Sequence, residues 1–178
     1  MRLRCRSIRH LLTGVSIAVG LAGPLFVPAD ADAQRLVLLV RHAERADGGV
    51  VPAGMTAPAD PDLSAEGRVR ADRLAEMLAQ AGITKIVVSE FRRTHQTAAP
   101  LAARLGLTPE RWSSKDVPGL VTQLATYKDD VVLIIGHNTT VPAAIDGLGG
   151  PKVVIPDTDY ANLFVFVPAT RALTTLRY

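Results

Sequence analysis

Three stretches of the chain are apolar almost without interruption: RLVLLV at 35–40, KIVVS at 85–89, and the VVLIIG within DVVLIIGHN at 130–138. No polar residue alternates inside them, so each reads as a strand buried on both faces of a sheet. Between them the period changes. Leu74, Met77, Leu78 and Ala81 recur at helical spacing after Ser64, which is placed to cap a helix that Gly82 stops. A second helix is predicted over 92–106, with Ala98, Leu101, Ala102 and Leu105 on its inner face and Pro100 expected to kink or break it. GLVTQLATY at 119–127 predicts a shorter helix. Thr140 can cap another that runs to Gly147, with Pro142 in its first turn. NLFVFV at 162–167 and ALTTLRY at 172–178 predict two closing strands, antiparallel across a turn at 168–171.

Strands that alternate with helices imply an α/β fold. The expected architecture is a three-layer sandwich, a mainly parallel central sheet with helices on both faces. Ligands of such sheets collect beyond the carboxyl ends of the strands. The segment at 47–62, DGGVVPAGMTAPADPD, is a loop by composition, and loops of that length inside a compact domain are usually functional. No repeat or low-complexity tract divides the chain.

The first residues change the picture of charge and compartment. MRLRCRSIRH carries four arginines and no acid, an apolar stretch follows, and PADADAQ supplies an A-x-A step at Ala31, Asp32 and Ala33. This pattern predicts a signal peptide over 1–33 and a mature domain over 34–178, periplasmic or secreted, with no stable membrane insertion after cleavage. A retained anchor is the alternative, but a bilayer span needs about 20 apolar residues and Gly and Pro interrupt this run. Cleavage removes four arginines and two aspartates, so the formal charge of +3 falls close to neutrality. No basic patch then argues for nucleic acid as a partner. The single cysteine, Cys5, leaves with the signal, which excludes disulfide and thiol chemistry from the mature domain.

The strand tips carry the candidate chemistry. Arg41 and His42 end the first buried strand, Arg92 and Arg93 lie just beyond the second, and His137 follows the third. If these strands are parallel neighbours, the guanidinium and imidazole groups converge on one sheet edge. Such a cluster calls for an anion, and the planar fork of arginine matches phosphate oxygens. Each residue alone has a plainer reading: a solvated strand end, a core histidine, a helix face. His95, on roughly the opposite helical face from Arg93, keeps that plainer reading. A zinc site built from His42, Glu44 and His137 would have to sit beside two arginines, and His-x-Glu is not a strong ligand spacing. No metal and no cofactor are expected.

Four blocks, in order, resemble the signatures of the histidine phosphatase superfamily, in the branch of phosphoglycerate mutases and small bacterial phosphatases. They are RHAER at 41–45, LSAEGRVRAD at 63–72, SEFRRTHQTAAPLA at 89–102 and GHNTTV at 136–141. DYANLFVF at 159–166 resembles the final strand of small exported members. The resemblance implies a phosphomonoester hydrolase that works through a phosphohistidine on a phosphorylated small molecule or glycan. It places the nucleophile on His42 and its preceding arginine on Arg41. Ser89 and the Gln96-Thr97-Ala98 run set the register that puts the second arginine on Arg93 and leaves Arg92 its neighbour. The second histidine is His137. Arg41, Arg93, His137 and Asn138 would hold the substrate.

The family's usual glutamate falls in the segment after the Gln-Thr-Ala helix. Here that segment, LTPERWSSKDVPGL, offers only Glu110 and Asp116. With Glu44, Asp60 and Asp62 they form the set of candidate general acids. A phosphatase for phosphohistidine or another labile phosphoryl group is the enzymatic alternative, and a phosphate-ligand binding module the non-enzymatic one. Specificity is expected from 47–62 and 106–118.

Overall fold

The first strand, β1 (Leu36–Arg41), runs beside β4 (Val131–Gly136), which runs beside β2 (Lys85–Ser89) and then the short β3 (Glu110–Trp112). All three of these pairings are parallel. On the other side of β1 lie β5 (Asn162–Val167) and β6 (Ala172–Arg177), both paired antiparallel, giving the order β3-β2-β4-β1-β5-β6. The structure is a computed structural model and describes residues 36–49, 60–127 and 130–178. The signal-peptide reading of 1–33, Arg35 at the head of the first apolar run and most of the 47–62 loop lie outside the described residues.

The sheet is mixed, so the expectation of a mainly parallel one holds only in part: β3, β2, β4 and β1 are mutually parallel, and β5 and β6 are paired antiparallel. The cause is the route of the chain after helix α4 (Thr140–Gly147). The segment 148–161 crosses back over the edge where β1 and β4 end, so β5 starts at that edge and must run in the opposite direction. This return leaves residues 156–160 lying against the strand tips. β3 was not foreseen: three residues with one buried side chain, Trp112, carry no periodicity to detect.

Helices cover both faces. Leu38 and Val40 point to the side of α1 (Ala65–Leu78) and α2 (Arg92–Leu105), where they meet Leu74, Leu78, Ala98 and Leu101. Val37 and Leu39 point to the side of α3 (Val117–Leu124) and α4, where they meet Leu120, Leu124, Val141 and Ile145. Each such aliphatic side chain contributes about 1.5–3 kcal/mol when fully buried. The two-sided burial explains why β1 up to Val40 and β4 are apolar at every position.

The helices differ from expectation mainly at their ends. In α1 the buried stripe is Gly67, Ala71, Leu74, Ala75 and Leu78, while Met77 is 41% exposed. The helix closes at Leu78, and Gly82 turns the chain with a φ of 68°. Gly67 is a close approach: a Cβ there would come within 2.3 Å of the Glu44 carbonyl oxygen. α2 runs unbroken through Pro100. α3 starts earlier than its apolar pattern, because the Asp116 carboxylate accepts from the Gly119 amide at 2.8 Å and caps it. Thr139, not Thr140, stands at the N-cap position of α4, with no side-chain capping bond, and the Thr140 hydroxyl instead accepts from the His137 amide at 2.9 Å. Among the described residues no helix is long and apolar enough to cross a membrane.

Candidate active site

Strand register builds the site. Arg41 pairs with Gly136 across the β1–β4 ladder, so His42 and His137 leave the sheet side by side. The His42 amide donates to the Gly136 carbonyl at 2.9 Å, and the imidazole centroids lie 5.2 Å apart. Val88 pairs with Ile135, which brings Ser89, at the tip of β2, to the same level. The turn after β1 is pinned to α2. The Ala43 amide donates to Thr97 Oγ1 at 3.0 Å, and that hydroxyl donates to the Arg93 carbonyl at 2.8 Å. Gln96 accepts from the Leu63 amide at 2.8 Å and donates to Asp62 at 3.0 Å. The Gln-Thr pair thus fixes the turn that carries His42 against the helix that carries Arg93.

A cavity of ≈ 600 Å³ opens at these tips, and Arg41, His42, Arg93, His137 and Asn138 all line it. Arg41 is 6% exposed. Its Nη1 donates to the carbonyls of Pro156, Asp157 and Asp159 at 3.0, 2.7 and 3.2 Å, and its guanidinium stacks over Tyr160 at 3.9 Å from the ring centroid. Arg93 stacks over Phe91 at 4.2 Å and faces Asp60 at 3.6 Å. The Nε atoms of both arginines are buried and, among the described residues, have no hydrogen-bond partner. Buried guanidinium N–H groups are rarely left unpaired, and two around one cavity mark a place made for an acceptor-rich anion. Burial lowers both guanidinium pKa values, yet arginine stays charged.

The histidines are neutral. Nδ1–H of His42 donates to the Ala43 carbonyl at 2.7 Å, which leaves the lone pair on Nε2. Burial pushes its pKa down to about 3, with His137, Arg93 and Arg41 acting in the same direction against the Ala43 bond. Burial and the Arg93 guanidinium push His137 down to about 4. Arg93 Nη2 lies 3.4 Å from His137 Nδ1, so this nitrogen is the acceptor and Nε2–H donates to Ser89 Oγ at 2.8 Å. Ser89 in turn donates to Thr94 Oγ1 at 3.1 Å, and Thr94 to the Phe91 carbonyl at 2.7 Å. Every donor in that chain points one way.

Over residues 37–114 the sequence matches the family model described as histidine phosphatase superfamily (branch 1). The chain has the histidine phosphatase fold. SixA, a protein histidine phosphatase solved with tungstate, superposes with a TM-score of 0.60 at 19% identity, over 79% of this chain and 94% of that one. A mycobacterial glucosyl-3-phosphoglycerate phosphatase complexed with VO3 gives 0.59 at 19% identity, over 80% and 97%. A phosphoserine phosphatase from Entamoeba histolytica, complexed with 3-phosphoglyceric acid, gives 0.60 at 13% identity, over 79% and 94%. Likenesses at such identities speak for the fold. No curated protein matches the sequence.

None of the five candidate acids lines the cavity of this histidine phosphatase fold. Glu44 is held by Arg70, with Nε–O distances of 2.8 and 3.0 Å. Glu110 is engaged by Tyr127, Gln123 and Lys85. Asp116 caps α3 and Asp62 accepts from Gln96. Asp60 accepts from the Arg92 amide at 2.9 Å, at the start of α2. Arg92, its side chain 64% exposed, reaches outward to Asp60 and Asp62 and does not line the cavity. His95 does not line it either.

Sequence reasoning passed over Arg45, Phe91, Ser114, Asp157 and Tyr160, all of which line the cavity. Arg45 sits within the RHAER block and pairs with Asp47, so a signal existed for it. Asp157 and Tyr160 belong to the returning segment, whose arrival at the site depends on the antiparallel placement of β5. Among the described residues no group of three His, Cys, Asp or Glu side chains is placed to hold a metal ion.

Proposed function

We propose that the chain is a phosphomonoester hydrolase that transfers the phosphoryl group to His42 and then to water. The observation that carries this reading is His42 itself. It is a buried, neutral imidazole whose Nδ1–H is fixed on the Ala43 carbonyl, and it leaves the Nε2 lone pair at a cavity lined by Arg41 and Arg93. The arginines hold the non-bridging oxygens and stabilise the charge that moves onto them.

A bound dianion favours the charged form of His137, which takes up a proton at Nδ1. The Nε2–P bond then forms on His42 as the ester P–O bond breaks. The departing oxygen keeps the electron pair of that bond and takes the His137 proton. In the second half, His137 accepts a proton from the water that attacks phosphorus, and His42 leaves with the N–P electron pair. No carboxylic acid enters this scheme, and the arginines supply the positive charge that a metal would otherwise bring.

The substrate class is a phosphorylated small molecule or glycan. Export rests on residues 1–33, and protein recovered from the producing cells should begin at Gln34. The direct test of the activity is turnover of an aryl phosphate by the purified protein with a chelator present. Hydrolysis that disappears in His42→Ala supports the reading. No hydrolysis, or hydrolysis that needs added metal, contradicts it.

A further inference from the structure

The cavity is polar in two different ways. Its floor carries the guanidinium groups of Arg41 and Arg93 beside the two neutral histidines. Its rim on the side of the returning segment is made of acceptors. Among the described residues Asp157 is the one carboxylate that lines the cavity. Asn138 Nδ2 donates to Asp157 Oδ1 at 2.6 Å, and among the described residues no hydrogen bond reaches Asp157 Oδ2 or Asn138 Oδ1. Asn138 directly follows His137, and the Asp157 carbonyl accepts from Arg41 at 2.7 Å. The acceptor pair is therefore locked, through its own backbone, to the groups that would hold phosphate.

A carboxylate in this position repels a phosphate dianion and has nothing to offer it. It can bind only what lies beyond the phosphate, and that part of the ligand must donate. Of the two donor classes, an ammonium would be repelled by Arg41, Arg45 and Arg93, which also line the cavity. A neutral hydroxyl meets no such opposition. We infer that Asp157 and Asn138 form a subsite for the hydroxyl groups of the leaving group, so that the preferred substrates are phosphate monoesters of polyols or sugars. This rests on the phosphatase reading and narrows its substrate class. The Asp157 carboxylate is a specificity group that accepts a substrate O–H; its side chain plays no part in the transfer itself.

The test compares three esters on the wild-type protein, Asp157→Ala and Asn138→Ala. Glycerol 3-phosphate carries neighbouring hydroxyls, n-propyl phosphate has a leaving group of similar length without them, and an aryl phosphate reports the phosphoryl machinery alone. Wild type should prefer glycerol 3-phosphate to propyl phosphate. Asp157→Ala should lower kcat/KM for glycerol 3-phosphate roughly 10- to 100-fold, the range for a hydrogen bond to a charged group, mainly through KM. It should leave the other two esters unchanged, and Asn138→Ala should lower kcat/KM for glycerol 3-phosphate by a smaller factor. Equal losses on glycerol and propyl esters that spare the aryl ester would make Asp157 a leaving-group acid and overturn the inference. Equal losses on all three would reduce it to a support for Arg41 and overturn it as well. A wild-type preference for phosphoethanolamine over glycerol 3-phosphate would overturn the choice of hydroxyls. Failure of wild type on the aryl ester would instead defeat the phosphatase reading.

Discussion

Ser89 Oγ stands 2.8 Å from Nε2 of His137, buried behind the imidazole that lines the cavity. The contact orients the imidazole and keeps its proton on Nε2, so that Nδ1, which accepts from Arg93 Nη2 at 3.4 Å, carries the lone pair that takes a proton once a phosphoryl group draws that arginine to itself. In Ser89→Ala the Nε2–H loses its acceptor, and an unpaired buried donor costs about 1–3 kcal/mol. The variant should hydrolyse an aryl phosphate roughly tenfold more slowly or worse. Its pH–kcat profile should also shift, because the proton held by His137 is no longer fixed in place. A slower variant with an unchanged profile would leave Ser89 as packing only.

Arg93 and Arg92 are neighbours with opposite fates, since adjacent helical residues point about 100° apart. Arg93 lines the cavity, whereas Arg92 reaches solvent and the carboxylates of Asp60 and Asp62. Arg93→Ala should reduce kcat/KM roughly a hundredfold or more, as loss of a donor aimed at transition-state charge does. Arg93→Lys should restore little of it, because an ammonium cannot reproduce the fork. Arg92→Ala should change the rate far less. Steady-state kinetics on one aryl phosphate ranks the three, and a larger loss at position 92 would reverse the assignment.

Glu44 belongs to the frame of the site. Its carboxylate is clamped by Arg70, and the side chains of both residues are about a quarter exposed or less. Glu44→Gln should therefore lower stability by about 1 kcal/mol, as partly exposed ion pairs do, and leave kcat close to wild type. Urea unfolding and turnover measured on the same preparation separate the two effects. A collapse of kcat with unchanged stability would make Glu44 a proton donor.

Acidification should weaken the fold through the two histidines. In the unfolded chain they titrate with the ordinary value near 6.5, and in the folded protein His42 is held down to about 3 and His137 to about 4. Between those limits the unfolded state binds more protons, so stability rises with pH. Their contribution is fully present above pH 6.5 and is lost progressively as pH falls through 4 toward 3. Urea unfolding at pH 7 and at pH 4.5 should show the difference, and His42→Asn should reduce it. In NMR titrations the His42 and His137 ring signals should still be those of neutral imidazole at pH 5.5.

The sequence was most legible where physics acts locally. β1, β2 and β4 could be found because burial on both faces demands unbroken apolar runs, and their tips carried Arg41, His42, Ser89 and His137 into view. The Gln96-Thr97 pair fixed the register that separates Arg93 from Arg92, and its hydrogen bonds to Leu63, Ala43 and Asp62 show what that register does. The rest depended on contacts remote in sequence. The closing antiparallel pair could be read from 162–178, but the direction of β5 against β1 is set by the route of 148–161, so the place of Asp157 and Tyr160 could not be seen beforehand. The role of the carboxylates stayed open along the sequence for a related reason. Glu44, Glu110 and Asp116 look like free acids along the chain, but Arg70, Tyr127 and the start of α3 claim them in space.

The central claim is that His42 carries the phosphoryl group, and the most direct measurement is to trap it. The protein is mixed with a 32P-labelled aryl phosphate and quenched in alkaline denaturant within milliseconds. The account predicts label on the protein that survives base, is released by mild acid, maps to the peptide containing His42, and is absent from His42→Ala. Equal labelling of wild type and His42→Ala, or turnover by wild type with label on any other residue, would contradict it.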